Sequence, residues 1–247
     1  MSLGDVALRF TTQRRVVSFV SRWGRGGAVS HGPANARAYA LTFDDGPHAI
    51  WTPRVLDVLD EAGAKGTFFV VGRNVARYPE LVRETRRRGH EIGSHLYDHE
   101  RHVVFDKATF DAELRKSLAQ LADVLGERVA YLRFPYGEKG SQRPGDIART
   151  HGVIAVHWTF SSHDGFAPAA DVVSRVKAGM RPGAIVLMHD CLADEGRGLG
   201  APYVAERGVT CAALPQIVAD AKAKRLVSAT LSELLDRPLT SVDQSTT

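Results

Sequence analysis

The chain has 247 residues, 44% hydrophobic and 24% charged, with a formal net charge of +4. That balance excludes a disordered chain and leaves a core-forming protein of one large domain or two small ones. The longest basic run is Arg86-Arg87-Arg88, too short for a nucleic-acid arm, and no apolar stretch reaches the roughly 18 residues of a membrane span.

Residues 1–37 divide in two. Val6 to Trp23 mixes Leu8, Phe10, Val16, Val17, Phe19 and Val20 with arginines, the pattern of an amphipathic helix packed on a domain. The same pattern allows peripheral membrane contact through a basic interfacial helix. Arg9, Arg14 and Arg15 interrupt what would be the apolar part of a signal peptide. The expected location is therefore cytoplasmic, or exported if a signal has been removed. Gly24 to Asn35, rich in Gly, Pro and Ser, reads as a linker.

Short apolar runs then alternate with helical patterns across residues 38–237. Tyr39–Phe43 is a predicted strand, and a helix from Thr52-Pro53 stops at Gly63. Thr67–Val71 is a buried strand, Pro79–Arg88 a helix and His90–Ser94 a short strand. Lys107–Leu125 carries Phe110, Leu114, Leu118, Leu121 and Leu125 at helical spacing. Val129–Phe134, Val153–Trp158, Ala184–Met188 and Leu226–Ala229 complete about seven strands. Helices Gly145–His151, Asp171–Met180, Ala212–Lys224 and Leu231–Leu235 lie among them, and a polar Gly-rich loop runs from Ala193 to Gly208. Residues 238–247 form a polar tail. This alternation predicts an α/β fold with a parallel sheet, either a barrel or an open doubly wound sheet. In both, chemistry gathers at the C-terminal ends of strands.

The ionisable residues follow that rule. The first strand ends in Asp44-Asp45-Gly46-Pro47. Adjacent strand residues point to opposite faces, so the two carboxylates share a site only if the backbone leaves strand geometry, which Gly46 permits. Such a pair is costly to bury without a positive partner. Later strands end in Ser94-His95, Arg133-Phe134-Pro135-Tyr136-Gly137, His157-Trp158 and His189-Asp190. His95 and His99, four apart, would share one face of a helical turn. Two imidazoles and one carboxylate make a ligand set with open positions, suited to a divalent metal that activates water. Cys191 and Cys211 form no CxxC pair, which argues against a thiolate zinc site; they are expected as unpaired thiols, with a disulfide as the alternative in an exported chain.

Taken in order, these motifs resemble the polysaccharide deacetylases of the nodulation-deacetylase (NodB) type, over roughly Tyr39 to Leu235. Thr42-Phe43-Asp44-Asp45-Gly46-Pro47 is identical to that family's first motif, and His95-Leu96-Tyr97-Asp98-His99 matches the second in its histidines. Arg133 to Gly137 matches the third, Trp158 to Asp164 partly the fourth, and Leu187-Met188-His189 the fifth. The resemblance implies a distorted (β/α) barrel of about seven parallel strands forming a single catalytic domain. It also implies a metal-dependent hydrolase that removes acetyl groups from an acetylated carbohydrate. The implied ligands are Asp45, His95 and His99, holding Zn2+, with Co2+ or Ni2+ as alternatives. Asp44 would be the general base, fixed by Arg133. His189 would protonate the leaving amine, oriented by Asp164. Tyr136, Trp158 and Leu187 would wall the acetyl pocket, the Tyr136 backbone N–H facing the oxyanion. Two further readings are a deacylase of a small acetylated or formylated intermediate and an inactive carbohydrate-binding protein. The chain departs from the family pattern at Leu96, where Ser or Thr is usual and a bracing hydroxyl is lost. It departs again at Ser161, where Asp is common, and at Gly165, where a Trp wall is common. The 193–208 loop is expected to cover the resulting gap.

Overall fold

The computed structural model describes residues 27–101, 106–192 and 207–236. The amphipathic segment Val6–Trp23 with its membrane contact, nearly all of the Ala193–Gly208 loop and the tail lie outside the described residues. Among the described residues there are eight strands: β1 (Ala38–Asp44), β2 (Gly66–Val70), β3 (Glu91–Ser94), β4 (Tyr131–Leu132), β5 (Ile154–Ala155), β6 (Phe160–Ser161), β7 (Ile185–His189) and β8 (Val227–Ser228). The helices are α1 (Trp51–Glu61), α2 (Gly72–Arg77), α3 (Pro79–Arg87), α4 (Lys107–Leu125), α5 (Pro144–His151), α6 (Ala169–Gly179), α7 (Gly208–Ala223) and α8 (Leu231–Asp236).

All strand pairs are parallel, in the order β5-β4-β3-β2-β1-β7-β6. β8 stands off this path and pairs with Ala38 and Tyr39, ahead of the point where β2 joins β1 at Leu41. The sheet is a half-barrel wrapped by helices. The predicted strand Val153–Trp158 is shorter than expected, because the chain leaves β5 at Ala155 and crosses to the other end of the sheet as β6. Residues read as linker fill the seam between these ends. The Val29 N–H donates to Ala155 O at 2.9 Å, the His157 N–H donates to Val29 O at 2.7 Å, and the Thr159 hydroxyl donates to Ser30 O.

Strand alternation divides the core. Tyr39, Leu41 and Phe43 face the outer helices, packing with Val55, Leu56 and Leu59 of α1 and Leu214 and Val218 of α7. Ala38 and Ala40 face inward with Phe69, Ile185 and Val156. Helix α4 is set by local chemistry. Asp106 caps its N-terminus by accepting from Ala108 N and Thr109 N, and Gly126 ends it at φ 70°. Its face of Phe110, Leu114, Ser117 and Leu121 is buried.

Candidate active site and metal centre

The inward face of β1 reads Ala38, Ala40, Thr42, Asp44, and that of β7 reads Ile185, Leu187, His189. The register places Thr42 beside Leu187 and Asp44 beside His189. The base candidate and the acid candidate are thus neighbours at the C-terminal end of two paired strands. Arg133 is fully buried.

Arg133 follows β4 and reaches across the interior. It donates to Asp44 Oδ1 at 2.8 Å, to Thr42 Oγ1 at 2.7 Å, and to the carbonyls of Val156 and His157. Its guanidinium lies 4.1 Å from the centre of the Phe69 ring. Burial pulls its pKa below the ordinary value and the Asp44 charge opposes the fall. A buried guanidinium retains its charge when carboxylate and carbonyls saturate its fork in this way.

Asp45 points elsewhere because it departs from the strand. Its φ is 79°, so the residue itself takes the left-handed conformation that leaving the strand requires. The expectation that glycine freedom at Gly46 makes the turn is corrected here. Gly46 is needed for space: a Cβ there would lie 2.4 Å from Asp190 Oδ2. The Asp45 carbonyl is held by Asn74 Nδ2 at 2.9 Å.

His95 and His99 converge on Asp45, although not on a helical turn as their spacing predicts. They lie in the loop after β3, where Leu96 (φ 63°) and His99 (φ 58°) are left-handed and fold the segment back. His95 Nε2 lies 3.4 Å and His99 Nε2 3.2 Å from Asp45 Oδ1. One ligand atom from each of the three buried residues falls within 4.8 Å of the others. The His95 Nδ1 lies 2.8 Å from Arg133 O. A carbonyl only accepts, so Nδ1 carries the proton and Nε2 presents its lone pair towards Asp45. Burial opposes ionisation of Asp45, but its surroundings, the His99 charge first among them, hold its carboxyl well below the usual range. These donors fit a divalent cation.

The Leu96 side chain is fully buried against Phe110, Leu114, Leu132 and Phe134. Apolar packing therefore braces the ligand loop where a hydroxyl was expected to be missed. Its carbonyl accepts from Gly72 N and its N–H donates to Ser94 Oγ.

His189 and Asp164 form a close pair. His189 Nδ1 lies 2.9 Å from Asp164 Oδ1, and the His189 N–H donates to Oδ2 at 2.8 Å. Burial opposes the charge on His189, yet the carboxylates of Asp164, Asp45 and Asp44 push it up to about 9. Burial likewise opposes ionisation of Asp164, and the charges of His189 and Arg207 with the Thr210 hydroxyl hold it below its ordinary value.

Tyr136 (φ 58°) follows β4, its ring 4.7 Å from that of His99 and under the Arg101 guanidinium. Trp158 packs on Gly137, where a Cβ would be 2.5 Å from the indole. Leu187 is buried on the inward face of β7. The structure thus brings every sequence-selected site residue to one end of the sheet. Four residues that hold the site escaped sequence reasoning. Thr42 was accessible from its i, i+2 relation to Asp44. Asn74 and Thr210 carried no local signal, since each acts on a partner far along the chain, and Asp190 was read at a strand end but given no role. Asp190 accepts from Thr52 Oγ1, and its Oδ1 has no partner among the described residues. Burial pushes Asp190 up to about 7, with Thr52 opposing and Asp45 adding to the rise. Cys191 and Cys211 form no disulfide.

The polysaccharide deacetylase family model matches residues 31–156. A chitooligosaccharide deacetylase of Bradyrhizobium sp. (strain ANU 289) is 37% identical over 159 residues, spanning 64% of this chain and 72% of that protein. The peptidoglycan-N-acetylglucosamine deacetylase PgdA of Listeria monocytogenes serotype 1/2a (strain 10403S) is 37% identical over 152 residues, 61% of this chain but 32% of that longer protein. The solved structure of the Bc1960 peptidoglycan N-acetylglucosamine deacetylase superposes with a TM-score of 0.73 at 26% identity, covering 85% of this chain and 93% of that one. With half its length inside the family model and most of a relative's length matched, this chain belongs to the polysaccharide deacetylase family.

Proposed function

We propose that the chain is a metal-dependent hydrolase that removes acetyl groups from an N-acetylated carbohydrate, with N-acetylglucosamine units as the substrate class. The single observation that carries this reading is the division of labour among three neighbouring carboxylates. Asp44 faces a guanidinium, Asp45 faces two imidazoles, and Asp164 faces a protonated imidazole. Asp45, His95 and His99 would hold the cation, which we assign as Zn2+ on its two imidazoles and one carboxylate. When bound, it supplies Lewis acidity that lowers the pKa of a water and polarises the scissile carbonyl.

The chain's own residues do the rest. Arg133 holds Asp44 Oδ1, so Oδ2 receives the proton of the attacking water as general base. Oδ2 faces the metal set, 3.8 Å from His95 Nε2. As the carbonyl carbon becomes tetrahedral, its oxygen gains charge. Tyr136 is the residue whose backbone N–H we assign to that oxygen. His189, charged at neutral pH and held at Nδ1 by Asp164, delivers a proton from Nε2 to the leaving nitrogen. Trp158 and Leu187 enclose the acetyl methyl. Acetyl esters would be cleaved by the same groups, because the same carbonyl is attacked.

The test is acetate release from a panel of chitooligosaccharides, peptidoglycan fragments, acetylated xylan and small N-acetyl compounds. Each is assayed with chelator and with added zinc. Zinc-restored release from the N-acetylated sugars is expected. Chelator-resistant turnover, or no release from any acetylated sugar with zinc bound, would overturn the reading.

A further inference from the structure

Asp164 and His189 are bonded to each other at both carboxylate oxygens, and the Asp164 N–H donates to Ser162 Oγ. A donor from outside these residues adds a further constraint on the carboxylate's plane. Thr210, fully buried in the first turn of α7, supplies it: its hydroxyl lies 2.8 Å from Asp164 Oδ2 and 3.2 Å from His189 O. The hydroxyl has one proton, and the shorter bond to a charged acceptor is the stronger. Helix α7 is itself anchored by buried Ala213, Leu214, Ile217 and Val218, so Thr210 is a rigid post.

From this geometry we infer that Thr210 is a positioning residue for proton delivery, holding Asp164 so that His189 Nε2 points at the leaving nitrogen. The inference rests on His189 being the general acid. It assigns part of the catalytic geometry to an element about twenty residues beyond the last recognised motif, on a helix facing the opposite side of the sheet's core.

The experiment compares Thr210→Val, Thr210→Ala and Thr210→Ser with the parent in the zinc-loaded full chain. A chitooligosaccharide amide and an aryl acetate with a good leaving group serve as substrates. The ester needs no proton on its leaving group. Losing one hydrogen bond to a charged group corresponds to a fall of about tenfold or more in amide kcat/KM. The ester rate should stay within about twofold of the parent, and Thr210→Ser should recover the amide rate. In parallel, the His189 Nδ1 proton resonance should shift or broaden in Thr210→Val and return in Thr210→Ser. Equal loss on both substrates, no loss on the amide, or an unchanged resonance overturns the inference. His189→Ala separates it from the reading beneath. If that variant shows no amide-selective loss, the acid assignment fails. If it does and Thr210→Val does not, only the role of Thr210 fails.

Discussion

The two ends of the sheet handle buried charge differently. At the C-terminal end, Asp44, Asp45, His95, His99, Arg133, Asp164 and Asp190 are all buried within one cluster. Among the described residues, five of the six non-glycine positions with positive φ lie there: Asp45, Leu96, His99, Tyr136 and His163. Such conformations persist only where surrounding structure enforces them, so this end accepts strain in order to aim side chains. At the N-terminal end, Glu91 is tied by Ser232 N, Ser232 Oγ and Thr67 Oγ1, and His90 accepts from Gly66 N. Burial pushes the Glu91 carboxyl up and pulls His90 down to about 4, favouring the uncharged form of each. One end sets buried groups of opposite charge against each other, Arg133 against Asp44 and His189 against Asp164. The other suppresses charge.

The sharpest way to break this contrast is Asp44→Asn. Amide turnover should fall by about 10²–10⁴-fold while bound metal, measured by elemental analysis, stays at the parent level. Loss of metal would mean that Asp44 is a ligand. Arg133→Met comes next. It leaves Asp44 buried without its partner and should cost about 3–5 kcal/mol of stability, read by denaturant unfolding. A similar loss in an Asp44→Asn, Arg133→Met double variant would show that the guanidinium acts through packing on Phe69 rather than through charge. Leu96→Ala should cost about 2–5 kcal/mol and also weaken zinc affinity, measured by competition with a chromophoric chelator, because the ligand loop loses its anchor. Unchanged affinity would detach the brace from the metal set.

The smallest effect is expected at the opposite end. The folded-state pKa of His90 is depressed, so the unfolded chain binds a proton from about pH 6.5 downward while the folded chain does not until about 4. Stability of the metal-free chain should therefore fall as pH drops through that window. His90→Asn keeps an acceptor for Gly66 N and should flatten the slope in thermal melts. An unaltered slope would place the acid sensitivity elsewhere.

Much of this was legible in the chain. The parallel α/β plan followed from alternating apolar runs, and the placement of Asp44, His95, Arg133 and His189 followed from the rule that chemistry gathers at strand ends. What escaped depended on conformation or on distance. His95 and His99 were read on a helical turn, because spacing alone cannot show that Leu96 and His99 take left-handed angles. The role of Gly46 was misread as flexibility, since Asp190 is far along the chain. The segment around Val29 looked like linker, because Gly and Pro mark irregular backbone whether it is tethered or packed. Leu96 looked like a loss until its side chain was seen in the core beside Phe110.

One contact of Arg133 couples two properties that are usually tuned separately. Its fork holds Asp44 at one tip and the carbonyl of His157 at the other, and His157 is followed directly by Trp158. If Trp158 walls the acetyl pocket and Asp44 is the base, as proposed above, a substitution that moves the 157–158 backbone also alters the grip on Asp44 and links substrate choice to rate through a single guanidinium. A library that varies this wall should return variants whose kcat and KM change together, unless the His157 carbonyl keeps its place.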